Sequence, residues 1–397
     1  MAIARGMSGS MRRFQRVSRY KTLALIIWAS SLLVAPSWAS KKVVPIDEGE
    51  LLDVGIQVFD PGIPQGHQMT GYEQVNPDVR RSEAAFVAVH LMRTLQETGR
   101  FGLVRMVPEE SVTVDLMVTG RIHRSSGVRL AVEFEVTDAT GRRWLRRAFL
   151  QHADPRSYAM GFDSNIEPFQ ALYDQLAADL IRAQDRKKPK RLEEVRRVAE
   201  LKFAAQLAPT VFGDYLKPGR KGRIELQRLP AVDDPMLARI RKIQTRDEFF
   251  LDLLTERYEE FYSTMDRAYD DYRATSYEVE MALRYAKVQA YLANVQPTMG
   301  PRGSFRIRSP QASRREHYFR RQAALQARYL DDMAKSFAMV IEPLRLELDG
   351  EVIRFEGTIE DQYRQWQELL EEIFVTETGL SIAEQPQGVE LDVNARH

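Results

Sequence analysis

The chain has 397 residues, 28% of them charged, with 57 Lys+Arg against 56 Asp+Glu and a formal net charge of +1. It contains no cysteine, which excludes disulfides, thiolate metal centres, a cysteine nucleophile and a lipid anchor on a cysteine of this chain. Eighteen Phe and fifteen Tyr supply enough apolar material for packed cores and argue against global disorder.

Residues 1–21 carry Arg5, Arg12, Arg13, Arg16, Arg19 and Lys21 and no acid. An apolar or small run over 22–35 follows, then Pro36 and the small residues of Ser37-Trp38-Ala39. That order is the pattern of a secretory signal peptide, with cleavage expected after Ala39 and a periplasmic or secreted destination. Removing residues 1–39 takes away six positive charges and turns +1 into about −5. A net-acidic exported chain is a poor partner for nucleic acid. No later stretch is apolar for long enough to span a membrane.

Residues 40–185 are expected to form a small α/β domain. The alternation over 52–59 predicts a strand, and Asp60-Pro-Gly-Ile-Pro a loop running to about Asp78. Residues 81–98 predict an amphipathic helix with Ala84, Val87, Leu91 and Leu95 on one face and Gly99 at its C-terminus. A strand over 103–107 ends at Pro108. Three strands follow over 114–123, 128–137 and 142–151, the second placing Val128, Leu130, Val132, Phe134 and Val136 on one face. Ser125-Ser-Gly127 and Asp138-Ala-Thr-Gly141 are the turns between them. A helix over 166–184 carries Phe169, Leu172, Leu176 and Leu180. The order β-α-β-β-β-β-α predicts a parallel β-α-β unit beside an antiparallel meander.

The run Asp115-Leu-Met-Val-Thr-Gly120, then Phe134-Glu-Val-Thr-Asp138-Ala-Thr-Gly141-Arg-Arg-Trp144, then a closing helix, resembles the small α/β domain of bacterial envelope proteins. That group includes the curli-secretion channel lipoprotein, the N-terminal domain of the Tol-Pal propeller protein and lipoprotein activators of penicillin-binding proteins. The resemblance covers roughly residues 50–185 and implies a binding domain rather than an enzyme. The chain as a whole is similar to exported proteobacterial proteins, a likeness that implies no mechanism.

Residues 186–232 are expected to be a linker with a helix over 191–207, preceded by the basic run Asp185-Arg-Lys-Lys-Pro-Lys-Arg191. That run could contact anionic lipid or polymer as a peripheral membrane contact, or serve as a solvated hinge. Residues 233–342 predict a long helical hairpin. Asp233 opens its first arm, and neither Pro nor Gly interrupts it from there to about Val295, roughly 90 Å of helix if continuous. Tyr258, Phe261, Met265, Ala268, Tyr272, Val279, Ala282 and Ala286 follow a 3-4 heptad spacing, with Thr275 in the seam. The polar run 270–276 is the expected place for a bend. The second arm, over 313–341, carries Tyr318, Leu325, Tyr329, Met333 and Phe337. The stripe reads either as intrachain core or as a docking surface for an envelope protein or a second copy, with Tyr258, Phe261, Met265 and Tyr272 as the candidate docking residues. Residues 343–380 predict a ββα element turning at Asp349-Gly350, and 381–397 a polar tail.

No chemical motif stands out. His67, His90, His123, His152, His317 and His397 form no metal-ligand spacing, and no nucleophile elbow or phosphate loop occurs. No cofactor and no metal are expected. The adjacent acid pairs 233–234, 259–260, 270–271 and 331–332 point about 100° apart on a helix and cannot present two carboxylates to one substrate. The expected architecture is therefore α+β: a small mixed-sheet domain, a long helical hairpin and a C-terminal ββα element. The expected function is a non-enzymatic binding or scaffold protein of a bacterial envelope assembly. The alternative is an exported hydrolase acting on peptidoglycan or polysaccharide, with carboxylates assembled from distant residues in a cleft between the sheet and the helices.

Overall fold

The computed structural model describes residues 51–63, 77–158 except 110 and 112, 167–295 except 232, and 342–379 except 349, together with positions 321 and 329. The expected signal segment, most of the expected second hairpin arm and the expected polar tail lie outside the described residues.

The fold is mixed α/β, as the element order predicts. Five strands form one sheet in the order β2-β1-β3-β4-β5, with β1 at Val54–Ile56, β2 at Val104–Met106, β3 at Leu116–Ser125, β4 at Arg129–Asp138 and β5 at Arg143–His152. β1 pairs in parallel with both β2 and β3, and β3-β4-β5 is an antiparallel meander. The link from β2 to β3 therefore crosses β1, and it does so without a helix. Gly55 makes room for it: a Cβ there would lie 2.7 Å from a Val107 methyl and 2.9 Å from one of Val114.

Helix α1, Pro77–Glu97, buries almost its whole circumference, from Ala84, Val87, Leu91 and Leu95 round to Ala85, Ala88, Val89 and Met92. A helix apolar all round is one covered on more than one side. The sheet lies beneath α1, α2 (Gln170–Asp185) beside it, and the long helix against another face. Helix α3 is Pro189–Leu207, and a short turn of helix, α4, is Pro209–Phe212. Strands β6 (Leu216–Pro218) and β7 (Ile224–Leu226) pair antiparallel, and the amide of Ile224 donates to the carbonyl of Thr140, tying this hairpin to the β4–β5 turn.

Helix α5 runs unbroken from Pro235 to Val295. The helix continues through the polar run 270–276, where Arg273 and Thr275 are buried rather than solvated. Its first half closes the β2 edge of the sheet. The Met106 amide donates to Thr255 Oγ1 at 3.2 Å, and Arg105 pairs with Asp252. Covering an edge in this way satisfies groups that would otherwise recruit another strand. Farther along, Gly127 of the β3–β4 turn touches α5 so closely that a Cβ would lie 2.3 Å from the carbonyl oxygen of Arg273.

The C-terminal element is β8 (Leu344–Leu348), β9 (Glu351–Phe355) and α6 (Ile359–Thr378). Thr358 and Asp361 form a reciprocal capping box at the start of α6, and Gly379 ends it in the left-handed conformation. It packs on α5 through Phe250, whose ring stacks on Trp366 at 4.9 Å. One hydrophobic core runs from Leu52 to Phe374.

Candidate functional site: a polar cleft at the amino ends of the parallel strands

Asp53 immediately precedes β1 and Asp115 immediately precedes β3. Because these strands are parallel neighbours, their amino ends lie side by side. The Asp53 amide donates to Asp115 Oδ2 at 2.9 Å, and Asp53 Oδ1 in turn accepts the Leu103 amide at 2.7 Å. Both carboxylates line a cleft of about 1060 Å³. Arg100 and Thr113 border it on the sheet side, Gln184 to Glu200 along the α2–α3 corner, and Arg241, Gln244, Thr245 and Glu248 on the first turns of α5. Nucleotide crevices of open α/β sheets lie at the opposite, carboxyl ends of the strands.

The electrostatics are uneven. Arg100 is paired with Asp185, and Glu200 takes Arg241 and Arg197. Asp53, Asp115 and Glu248 have no salt-bridge partner among the described residues. Burial pushes Asp115 up to about 7, with its hydrogen bond from Asp53 opposing and the Asp53 charge adding. Burial also raises Asp53, against the Leu103 amide and the charges of Arg105 and Arg196. Burial raises Glu248 too, against Arg105 and with Asp53 adding. Three polar atoms of the cleft residues are buried without a hydrogen-bond partner: Gln184 Oε1, Arg100 Nε and Arg196 Nη1. No histidine, serine or aromatic residue is among its described lining. Among the described residues no group of three or more His, Asp or Glu is placed to hold a metal ion.

A second polar cluster is closed. His90 of α1 shares hydrogen bonds with the Tyr262 hydroxyl at Nδ1 (2.7 Å) and with Gln170 Oε1 at Nε2 (2.8 Å). Glu83 accepts Ser125 and Tyr269 hydroxyls and pairs with Arg80. Arg273 holds Glu167 with two donors and lies over the Tyr269 ring at 4.3 Å. These groups join α1, α2 and α5; Glu83, Tyr269 and Arg273 are buried, whereas His90, Gln170 and Ser125 are half-buried.

Of the residues carrying the envelope-domain resemblance, Asp115 lines the cleft, while Asp138 and Gly120 have structural roles. Asp138 accepts the amides of Thr140 and Arg142, the Trp144 indole N–H and Arg191 Nη2, so it ties the turn to α3. Gly120 leaves room for the Phe59 ring, whose nearest carbon would lie 2.8 Å from a Cβ. In the basic run, Arg191 thus pairs with Asp138 and Lys187 sits over the Trp144 ring at 4.9 Å. The candidate docking residues face inward: Tyr258, Phe261 and Met265 are buried, and Tyr272 is half-buried against the same core. The exposed large apolar side chains of α5 are Phe249, before these candidates, and Met281, Tyr285, Val288 and Tyr291 farther along, the last 68% exposed. At 100° per residue the latter four fall within about 120° of the helix circumference.

No family model, no curated protein and no solved structure matches the chain.

Proposed function

We propose that the chain is an exported, non-enzymatic binding protein of a bacterial envelope assembly, in which the distal half of α5 is the docking element for a protein partner. The observation that carries this reading is the division of α5 into two unlike halves. Its first half buries most of its apolar side chains in the core, with Phe249 the exposed exception, whereas Met281, Tyr285, Val288 and Tyr291 of the second half are all exposed on one side of the helix. Contiguous exposed apolar surface on a soluble chain marks an interaction site more often than a random feature, and tyrosine is favoured at interfaces. The basic leader and apolar run of the first 39 residues support export. The test is crosslinking in intact cells, with the tagged full-length protein recovered and its companions identified by mass spectrometry. A stoichiometric envelope protein that is lost in the Tyr285→Ser/Tyr291→Ser variant is the expected result. Undiminished recovery of that companion overturns the docking role of the stripe.

One observation favours the hydrolase reading: Asp53 and Asp115 meet in a cleft between the sheet and the helices, and Asp115 is held near neutral protonation. Digestion of purified sacculi by the protein, abolished by Asp115→Asn, would select it over the binding reading. Inert sacculi would remove it.

A further inference from the structure

Three loops from distant parts of the sequence meet at the β4–β5 turn, and all three are basic. We propose that they form a docking surface for the anionic phospholipid headgroups of a membrane, with Arg142, Lys188, Arg220, Lys221 and Arg223 as its cations. The surface uses no residue of the α5 stripe.

The segments 141–147, 186–191 and 217–223 hold Arg or Lys at thirteen positions and Asp or Glu at none. Tertiary structure brings them together. The Ile224 amide donates to the Thr140 carbonyl at 3.0 Å, and a Cβ on Gly141 would lie 2.6 Å from the carbonyl oxygen of Gly222. Arg191 donates to Thr140 Oγ1 and Asp138 Oδ2, and Lys187 sits over the Trp144 ring, so the loop before α3 is tied to the same turn.

Part of this charge is neutralised within the chain. Arg143 and Arg146 meet Glu135 and Glu133, Arg147 meets Asp179, and Arg191 meets Asp138 and Glu194. Asp185 is held by Arg100, Lys190 and Glu193 both line the cleft, and Glu225 stands opposite Lys217 in the β6–β7 ladder. Arg142, Lys188, Arg220, Lys221 and Arg223 remain, all exposed and without an ion-pair partner among the described residues. Outside residues 1–39 the chain carries more acid than base, so these five are a local excess of the opposite sign.

The tip of the β6–β7 loop gives a second observation. Lys221 has a φ of 63°, and no other described residue except glycine takes a positive φ. A side chain is strained in that conformation where glycine is not, and such strain marks functional positions. Lys221 is exposed, so packing does not account for it; its charge does.

The surroundings favour a membrane plane over other anions. None of the five lines the cleft or the smaller cavity between α5 and the β8–β9 hairpin, so no single small anion is enclosed. The aromatic rings of these segments, Trp144 and Tyr215, are covered by Lys187 and Arg228 and offer no platform on which a base stacks. Exposed cations on loop tips match the additive attraction of basic residues to anionic headgroups.

The test is sedimentation of the full-length protein with vesicles of phosphatidylcholine containing about one-third phosphatidylglycerol, in low-salt buffer. The basic leader of residues 1–21 is common to every variant, so the readout is the ratio of affinities. Lys221→Asn removes the charge and keeps a side chain that tolerates the left-handed conformation. It should weaken vesicle binding about fivefold with an unchanged melting temperature, and adding Arg223→Gln should bring the loss to about 25-fold. Arg345→Gln, on the exposed side of β8, should leave binding as it was. Salt at about 0.5 M should bring all variants to one affinity. Parent-like affinity in the double variant, an equal loss in Arg345→Gln, or a difference that survives high salt overturns the proposal. Displacement from the vesicles by soluble polyphosphate at matched phosphate concentration assigns the surface to a free polyanion and overturns the bilayer.

Discussion

Arg273 of α5 donates from its two terminal nitrogens to the two oxygens of Glu167, each at 2.8 Å, and both side chains are almost completely buried. Burial alone would raise the Glu167 carboxyl, but the Arg273 charge and hydrogen bonds overcome it and hold that carboxyl below its ordinary value. Glu167 also accepts the Phe169 amide at the head of α2, so the pair pins the long helix to the α2 entry. Removing one member of such a pair leaves a buried charge without compensation, which costs about 3–5 kcal/mol. Arg273→Met should therefore lower unfolding free energy by that amount in urea titration. Arg273→Met/Glu167→Leu should cost clearly less than the two single changes summed, because neither charge is then stranded. Additive losses would show that the pair is not coupled.

Asp247 sets a pH dependence. Its carboxylate is fully buried between α5 and α6, accepting the Trp366 indole N–H at 3.2 Å, the Gln367 amide at 2.8 Å and the Tyr363 hydroxyl at 3.4 Å. Burial outweighs these donors and pushes it up to about 7 from an ordinary 3.8. In the window between those values the folded state holds a proton that the unfolded state has released. Stability must then fall as pH rises through the window, and the whole penalty is present above about 7. Asp247→Asn keeps an acceptor for Gln367 and has nothing to ionise. It should recover on the order of 2 kcal/mol of the loss seen between pH 5 and pH 8. Asp115 and Asp270 are raised in the same direction by burial, so the slope should shrink without vanishing. Chemical denaturation at the two pH values measures it, and an unchanged slope would remove Asp247 as its source.

The β4–β5 turn shows what the sequence could reveal and what it could not. Asp138-x-x-Gly141 is legible because an aspartate that caps its own turn needs only local geometry, and Gly141 duly takes a positive φ of 72°. That Arg191 should reach the same carboxylate from 53 residues away is not local, and the run around it reads locally as a contact to anionic lipid or polymer or as a solvated hinge. The cleft was hidden for the same reason. Asp53 and Asp115 are 62 residues apart and meet only because β1 and β3 are parallel neighbours. In α5 the 3-4 spacing admits both an intrachain core and a docking surface, because that pattern cannot say whether the cover comes from the same chain or another. Tyr258, Phe261 and Met265 of the seam are buried, Val279, Ala282 and Ala286 are only half-buried, and Phe86 of α1 covers Tyr262 and Tyr269, which lie outside the seam. A stripe on α1 was likewise predicted where both faces are buried, since the second cover is the long helix itself.

Asp138 should be among the costliest polar residues to lose. Asp138→Ala would strand the Thr140 and Arg142 amides and the Trp144 indole and take one partner from Arg191, which keeps Thr140 Oγ1 and Glu194. Each buried group left unsatisfied costs about 1–3 kcal/mol, with partial relief where water can enter. A net loss of about 3 kcal/mol or more is expected. Asp138→Asn, which keeps one acceptor oxygen, should lose less. Hydrogen exchange would place the damage: residues 187–191 should lose protection along with the turn, because Asp138 holds both Arg191 and the Trp144 ring under Lys187. Protection lost at the turn alone would refute that coupling.

The two halves of α5 should respond oppositely to substitution. Phe261 is fully buried, and truncating a buried phenylalanine costs about 3–5 kcal/mol through lost contacts and the cavity left behind. Phe261→Ala should lower the melting temperature sharply, and any loss of partner recovery in that variant would follow from unfolding. Tyr285 is 63% exposed, so Tyr285→Ser should alter stability by no more than about 0.5 kcal/mol. If the distal stripe docks a partner, Tyr285→Ser is the variant that separates folding from binding: normal melting, reduced recovery. A large stability loss at Tyr285 would mean instead that the stripe is packed within the chain in solution. Thermal melts of both variants, run beside the crosslinking experiment, decide between these outcomes.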